Sequence, residues 1–343
     1  MKHRTVKTIV RSLILSVLIY LILSFLVVML LYEGLFSRKE AYEQSVYLTF
    51  EDIEPPDREV TFDSDGFTLY GRIYHEEGDA GIVILAHGKD GSCEDLLPEA
   101  RYFIENGYTA MLFDLTGHGK SDGATQRGLC RAVSDMESAV RFCEQDERLC
   151  DKPIYLYGFG VGGYGAAMCA SLDTVKAVVT VSAFESVQKM TLECALSEMG
   201  ILGYLEYPVM LLYQALLFGD DIYKSAASSI DQGDTPVLAI HGVSDETVSF
   251  SGASLSAAAE RIANESFQVL SVEGGKHRSL LYSESAVAYL EEYNEAAYTL
   301  YLEYNGNVSS AAAKALYEQY DRERMSELND GIMKKILEFY QSA

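Results

Sequence analysis

The stretch Ile154–Ala167, IYLYGFGVGGYGAA, constrains the fold more than any other part of the chain. Its first residues form a short apolar and aromatic run suited to a buried strand. Glycine then takes over at Gly158, Gly160, Gly162, Gly163 and Gly165, and the small residues that follow suit a tightly packed helix. A strand that turns into a helix this sharply brings two backbones together where side chains do not fit. The central residue, Gly160, can adopt positive φ at no steric cost.

The remaining pattern supplies the context. From Glu59 the run EVTFDS leads through an Asp65–Gly66 turn into FTLYGRIYH, a hairpin signature. Buried strands follow at 81–87, 108–114, 175–184, 236–242 and 267–272, with helices expected at about 94–105, 129–147 and 252–263. Residues 185–230 break this rhythm. They are helical in pattern, rich in Leu, Met and Tyr, and long enough to form a cap between two strands. From Ser283 onward the chain reads as helical and Tyr-rich, with a turn at Asn305–Gly306. Strands alternating with helices imply a mostly parallel sheet covered on both faces.

Residues 12–32, SLILSVLIYLILSFLVVMLLY, are 21 uncharged and mostly apolar positions, the length of one membrane-spanning helix. A cleavable signal would have a shorter apolar core and a small-residue cleavage site, and Glu33–Gly34–Leu35–Phe36 is not one. Lys2, Arg4, Lys7 and Arg11 precede the span, which predicts a cytoplasmic N-terminus and a domain on the far side of the membrane. The expected organisation is a basic N-terminus (1–11), a transmembrane helix (12–32), a stalk (33–57), an α/β domain (58–300, cap about 185–230) and a helical extension (301–343). Gly200–Phe218 is also apolar, but Glu206 and Pro208 argue against a second span.

The formal net charge is −24, and no acid precedes Glu33. The far side of the span therefore carries 23 bases against 51 acids, a surface that repels nucleic acid and anionic headgroups. A nucleic-acid partner is excluded. Cys93, Cys130, Cys143, Cys150, Cys169 and Cys194 show no metal-type spacing, and neither a metal nor another cofactor is expected. Cys143 and Cys150 are the nearest couple in sequence, and the pairing stays open. Cys169 and Cys194 read as small buried residues.

The glycines around residue 160 fit two patterns. Gly158, Gly160 and Gly163 match a dinucleotide fingerprint G-x-G-x-x-G, but the acid required about 20 residues on is only loosely supplied by Asp173 or Glu185. The strand, turn and helix also resemble the nucleophile elbow of the α/β-hydrolases, G-x-S-x-G, with Gly158 and Gly162 as flanks. Four further pieces occur in that family's order. Ala86-His87-Gly88-Lys89-Asp90-Gly91 resembles the loop that donates an oxyanion-hole amide. Phe113-Asp114 with Gly117-His118-Gly119 and Ser121 resembles the D-x-x-G-H-G-x-S turn. Ile240-His241-Gly242 with Asp245 and Val248 resembles the loop of the triad acid, and Gly274-Gly275-Lys276-His277 lies where the triad histidine belongs. The resemblance, to membrane-anchored bacterial hydrolases of the serine aminopeptidase or lysophospholipase-like kind, covers about residues 59–300.

The resemblance implies an α/β fold with Asp245 as orienting acid, His277 as base, and the amides of Lys89 and Val161 as an oxyanion hole. It also implies a small-molecule, lipid or peptide ligand in an apolar pocket under the cap. The nucleophile is missing, because Gly160 stands at the serine position. Glu246 competes with Asp245 as the acid. Ser121 and Ser182 are the nearby hydroxyls, neither on an elbow, and His87 and His118 read as structural. The expected function is an inactive or strongly impaired hydrolase relative that binds or senses a ligand at the membrane. The alternatives are hydrolysis by water activated through Asp245 and His277, and a form whose serine was replaced to silence it.

Overall fold

The computed structural model describes residues 2–39 and 46–343, so residues 40–45 of the expected stalk lie outside the described residues. Eight strands, β1 (Arg58–Ser64), β2 (Phe67–Tyr74), β3 (Ile82–Ala86), β4 (Thr109–Phe113), β5 (Ile154–Phe159), β6 (Val175–Val181), β7 (Val237–Gly242) and β8 (Phe267–Val272), form one sheet. Its order is β1-β2-β4-β3-β5-β6-β7-β8. The first two strands pair antiparallel through Asp65 and Gly66, both at positive φ, as a two-residue hairpin turn requires. β2 meets β4 antiparallel, and every later pairing is parallel. The central strands β3, β4 and β5 are buried at every position, which is why they read as continuous apolar runs.

Helices occupy both faces. Their order is α1 (Lys2–Leu35), α2 (Leu97–Glu105), α3 (Arg131–Gln145), α4 (Val161–Met168), α5 (Val187–Met199), α6 (Gly203–Phe218), α7 (Ala226–Ile230), α8 (Glu284–Glu303), α9 (Ser310–Tyr317), α10 (Arg322–Met325) and α11 (Asp330–Gln341). One core layer joins α3, α4 and α7 to the sheet, and the opposite layer is built from α2 and α11. The α5–α6 hairpin lies between β6 and β7, within the stretch read as a cap.

Three expectations need revision. The helix expected at 252–263 is a short 3₁₀ segment, Ser256–Arg261. The domain does not end near residue 300. In α11, Ile332, Met333, Ile336, Phe339 and Tyr340 are buried against the sheet, and the Tyr340 hydroxyl donates to the Leu156 carbonyl at 2.7 Å. The chain leaves the core at Ser283 and returns at Glu327, whose carbonyl accepts from the Ser283 amide at 2.9 Å. The material between, α8 to α10, is an excursion inserted before the last core helix. Cys194, expected to be buried, is exposed, and all six cysteines are free.

The described part of the stalk is docked. Phe36 is buried at the end of α1, and Lys39 exchanges backbone hydrogen bonds with Gly117 and Gly119 at 3.0 and 3.1 Å. The Arg38 guanidinium donates to the carbonyls of Gly119, Ser121 and Gly123 at 2.7, 2.8 and 3.0 Å. The exit of α1 is thus tied to the turn that carries His118 and Ser121. At about 1.5 Å per residue, the 34 residues of α1 extend about 51 Å. Its segment Val6–Leu35 is long and apolar enough to cross a membrane.

Candidate active site

Every residue singled out for chemistry lies beyond the carboxyl end of a parallel strand, where open α/β sheets form their crevice. Gly160 follows β5, Gly88 and Lys89 follow β3, Asp245 follows β7 and His277 follows β8. Gly160 has φ 55° and ψ −114°, a sharp reversal that passes the chain from β5 directly into α4. Close approach sets the neighbouring glycine. A Cβ on Gly162 would stand 2.3 Å from the Ala86 carbonyl oxygen, so the helix could not sit against β3 with any side chain there.

Gly160 is different. A Cβ built on it has only Gly88 Cα and His277 Nε2 nearby, both at an ordinary 3.7 Å. An oxygen one bond further would fall within hydrogen-bond reach of Nε2, the geometry of a nucleophile beside its base. The turn keeps room for a side chain that the sequence does not supply.

His277 is held from its other nitrogen, with Nδ1 and Asp245 Oδ2 2.8 Å apart. Its ring lies 5.0 Å from that of Phe159, and its carbonyl accepts the Ser182 hydroxyl at 2.6 Å. Ser182 therefore anchors the histidine loop. Ser121 is likewise committed, donating to the Asp114 carbonyl at 2.6 Å and accepting from the Tyr70 amide at 2.9 Å. Asp245 is buried while Glu246 is exposed, which separates the two competing acids. Asp245 Oδ1 accepts the amides of Thr247 and Val248 at 2.8 and 2.9 Å, and Oδ2 also lies 3.1 Å from His241 Nε2. Burial opposes its ionisation, but hydrogen bonds from His241, His277 and the Val248 amide outweigh it and hold the carboxyl below the usual carboxylate range.

The remaining histidines sit in the framework. His87 Nδ1 pairs with the Gly88 carbonyl at 2.8 Å, and Nε2 accepts the Leu115 amide at 3.0 Å. His118 packs edge-on against His87 at 4.8 Å and is buried, which with the neighbouring imidazole pushes its pKa down to about 3. Asp114 ties two loops together, accepting the amides of Cys93 and Lys120, both at 2.9 Å.

A narrow cleft reaches Lys89 and Val161, with Phe36, Leu115, His118 and Leu129 among its walls. This cleft is walled on one side by the exit of α1. Sequence reasoning also missed the group behind His277. Arg278 is half-buried, donating from Nε to the Tyr282 hydroxyl at 3.0 Å and from its terminal nitrogen to the Asp95 carbonyl. Nearby Glu99 is fully buried with neither carboxyl oxygen hydrogen-bonded among the described residues. Burial pushes its pKa up to about 7 against the pull of Arg278. No motif marks these residues, because each is defined by what it packs against.

Sheet order, crossover pattern and loop positions define the class, and the chain has the α/β-hydrolase fold. A family model described as serine aminopeptidase, S33, matches residues 78–203, which carry the elbow and the loop after β3 but neither Asp245 nor His277. A thiohydrolase of Aspergillus aculeatus is 30% identical over 121 residues, 34% of this chain and 38% of that protein. The chain thus spans about two fifths of the length of the curated relatives it matches. An esterase of Pyrococcus furiosus superposes with a TM-score of 0.56 at 18% identity, covering 76% of this chain and 96% of the esterase. The protein DcsB, solved with a substrate analogue, gives 0.50 at 22% identity, covering 69% and 97%.

Proposed function

We propose that this chain is a membrane-anchored α/β-hydrolase-fold protein that binds a small acyl-type or peptide ligand without forming an acyl-enzyme. In this reading the N-terminus is cytoplasmic and the domain lies on the opposite side. Asp245 orients His277, and the amides of Lys89 and Val161 receive the ligand carbonyl. The observation that carries it is the empty position at Gly160, 3.7 Å from a histidine nitrogen with no hydroxyl to activate. Loss of the serine costs on the order of 10⁶ in turnover in a serine protease of this mechanism. The acyl-enzyme route is therefore closed.

The same geometry supports a second, slower reading. His277 Nε2 faces open space while Nδ1 is held by Asp245, so a water in the serine's place would meet a preorientated base. Hydrolysis of short p-nitrophenyl esters separates the two. The ligand-binding reading expects no turnover above background in the unaltered chain and clear turnover in Gly160→Ser. Slow turnover in the unaltered chain that disappears in His277→Ala would favour water activation. A silent Gly160→Ser protein would contradict both, because each requires the rest of the site to be preorganised.

A further inference from the structure

We propose that the α5–α6 hairpin is embedded in one leaflet of the bilayer, with the outward face of α6 in contact with lipid acyl chains. This rests on the reading of α1 as a membrane-spanning helix and adds a second membrane-seated element. The two helices are packed side by side in the same direction. Glu206, near the start of α6, accepts the hydroxyls of Tyr20, at 2.8 Å, and Ser24. Two turns further along α6, Tyr213 packs edge-on against Phe25 and Tyr32 and donates to Glu33 at 2.7 Å. Tyr20 lies about 12 residues inside the end of the apolar run, about 18 Å along the helix. Half the hydrocarbon thickness is about 15 Å. A spanning α1 therefore carries the hairpin tip to the middle of the membrane.

The chemistry of α6 suits that depth. Its two charged or amide side chains are satisfied internally, Glu206 by α1 and Gln214 by the Thr191 hydroxyl at 3.0 Å. Its outward positions and the preceding turn are apolar and exposed, with Ile201, Leu202, Leu205, Leu212 and Leu216 forming the surface, and Ile201 is 81% exposed. A helix facing water carries charge on that side, whereas one facing lipid cannot. The surface is continuous with the exposed apolar face of α1. Glu198 is the exposed acid near the tip. It sits on α5 and not on the outward face of α6.

The chain contains no tryptophan, so a single introduced one is its own reporter. Leu205→Trp, Ile22→Trp and Leu302→Trp are made in the full chain and reconstituted into phosphatidylcholine liposomes with brominated acyl chains. The proposal expects Leu205→Trp and Ile22→Trp to lose at least half of their emission, and Leu302→Trp, on exposed α8, to keep it. Quenching at Ile22 with none at Leu205 overturns the proposal and leaves the spanning helix standing. A blue-shifted but unquenched Leu205→Trp assigns the face to a second protein copy and overturns it too. No quenching at Ile22 removes the spanning reading and the proposal together, and equal quenching at Leu302 removes the hairpin's special status.

Discussion

At Gly160 two physical requirements that normally travel together are separated. The backbone adopts the positive φ of a nucleophile turn, which glycine tolerates without strain, while the space for a side chain remains open. Gly160→Ser should therefore fit without a clash and cost about 1–3 kcal/mol from backbone strain alone. Thermal unfolding followed by tyrosine fluorescence checks this; a larger loss would mean that the space is not as open as the 3.7 Å contacts indicate. Glu99 carries a pH signature. Its folded-state pKa of about 7 stands above the ordinary 4.5, so its contribution is intact below about 4.5 and is lost as pH rises through about 7. Glu99→Gln removes that titration. From pH 5 to pH 8 the variant should gain on the unaltered chain by on the order of 3 kcal/mol at most, read as a widening gap in unfolding midpoint. A gap that stays constant would mean that the carboxyl is ionised in the fold at both pH values.

At the scale of elements, legibility followed the range of the interactions involved. The Asp65–Gly66 hairpin, the central strands and the elbow were readable because each is written in local residue types: turn formers, continuous apolar runs and closely spaced glycines. Short turn motifs singled out Asp245 and His277, which the fold brings to 2.8 Å, though only packing separates Asp245 from exposed Glu246. Helix α11 was visible as helical but not as core, because the excursion α8–α10 separates it from the strands it covers. The docked exit of α1 was hidden for a similar reason, since Arg38 bonds carbonyls more than 80 positions away. Treating α11 as core has a consequence. Ile336 is fully buried, and Ile336→Ala should destabilise the domain by about 2–5 kcal/mol. A fall of less than about 1 kcal/mol in denaturant unfolding would return the helix to the status of an appendage.

For the whole molecule, the fold joins a membrane-type helix, a hairpin packed along it and a site whose cleft begins at that helix's exit. The chain is acidic overall beyond Glu33, whereas α1 and α6 expose apolar side chains. Within that arrangement Asp245 and His277 lie 2.8 Å apart, and a Cβ at residue 160 would stand 3.7 Å from the imidazole. The central claim, that only the nucleophile is missing, is tested most directly by treating Gly160→Ser in the full chain with a fluorophosphonate probe and mapping the adduct by mass spectrometry. The account predicts a single adduct at residue 160, absent from the unaltered chain and reduced by at least a hundredfold in Gly160→Ser combined with His277→Ala. No adduct at residue 160, or labelling of another serine in the unaltered chain, would contradict it.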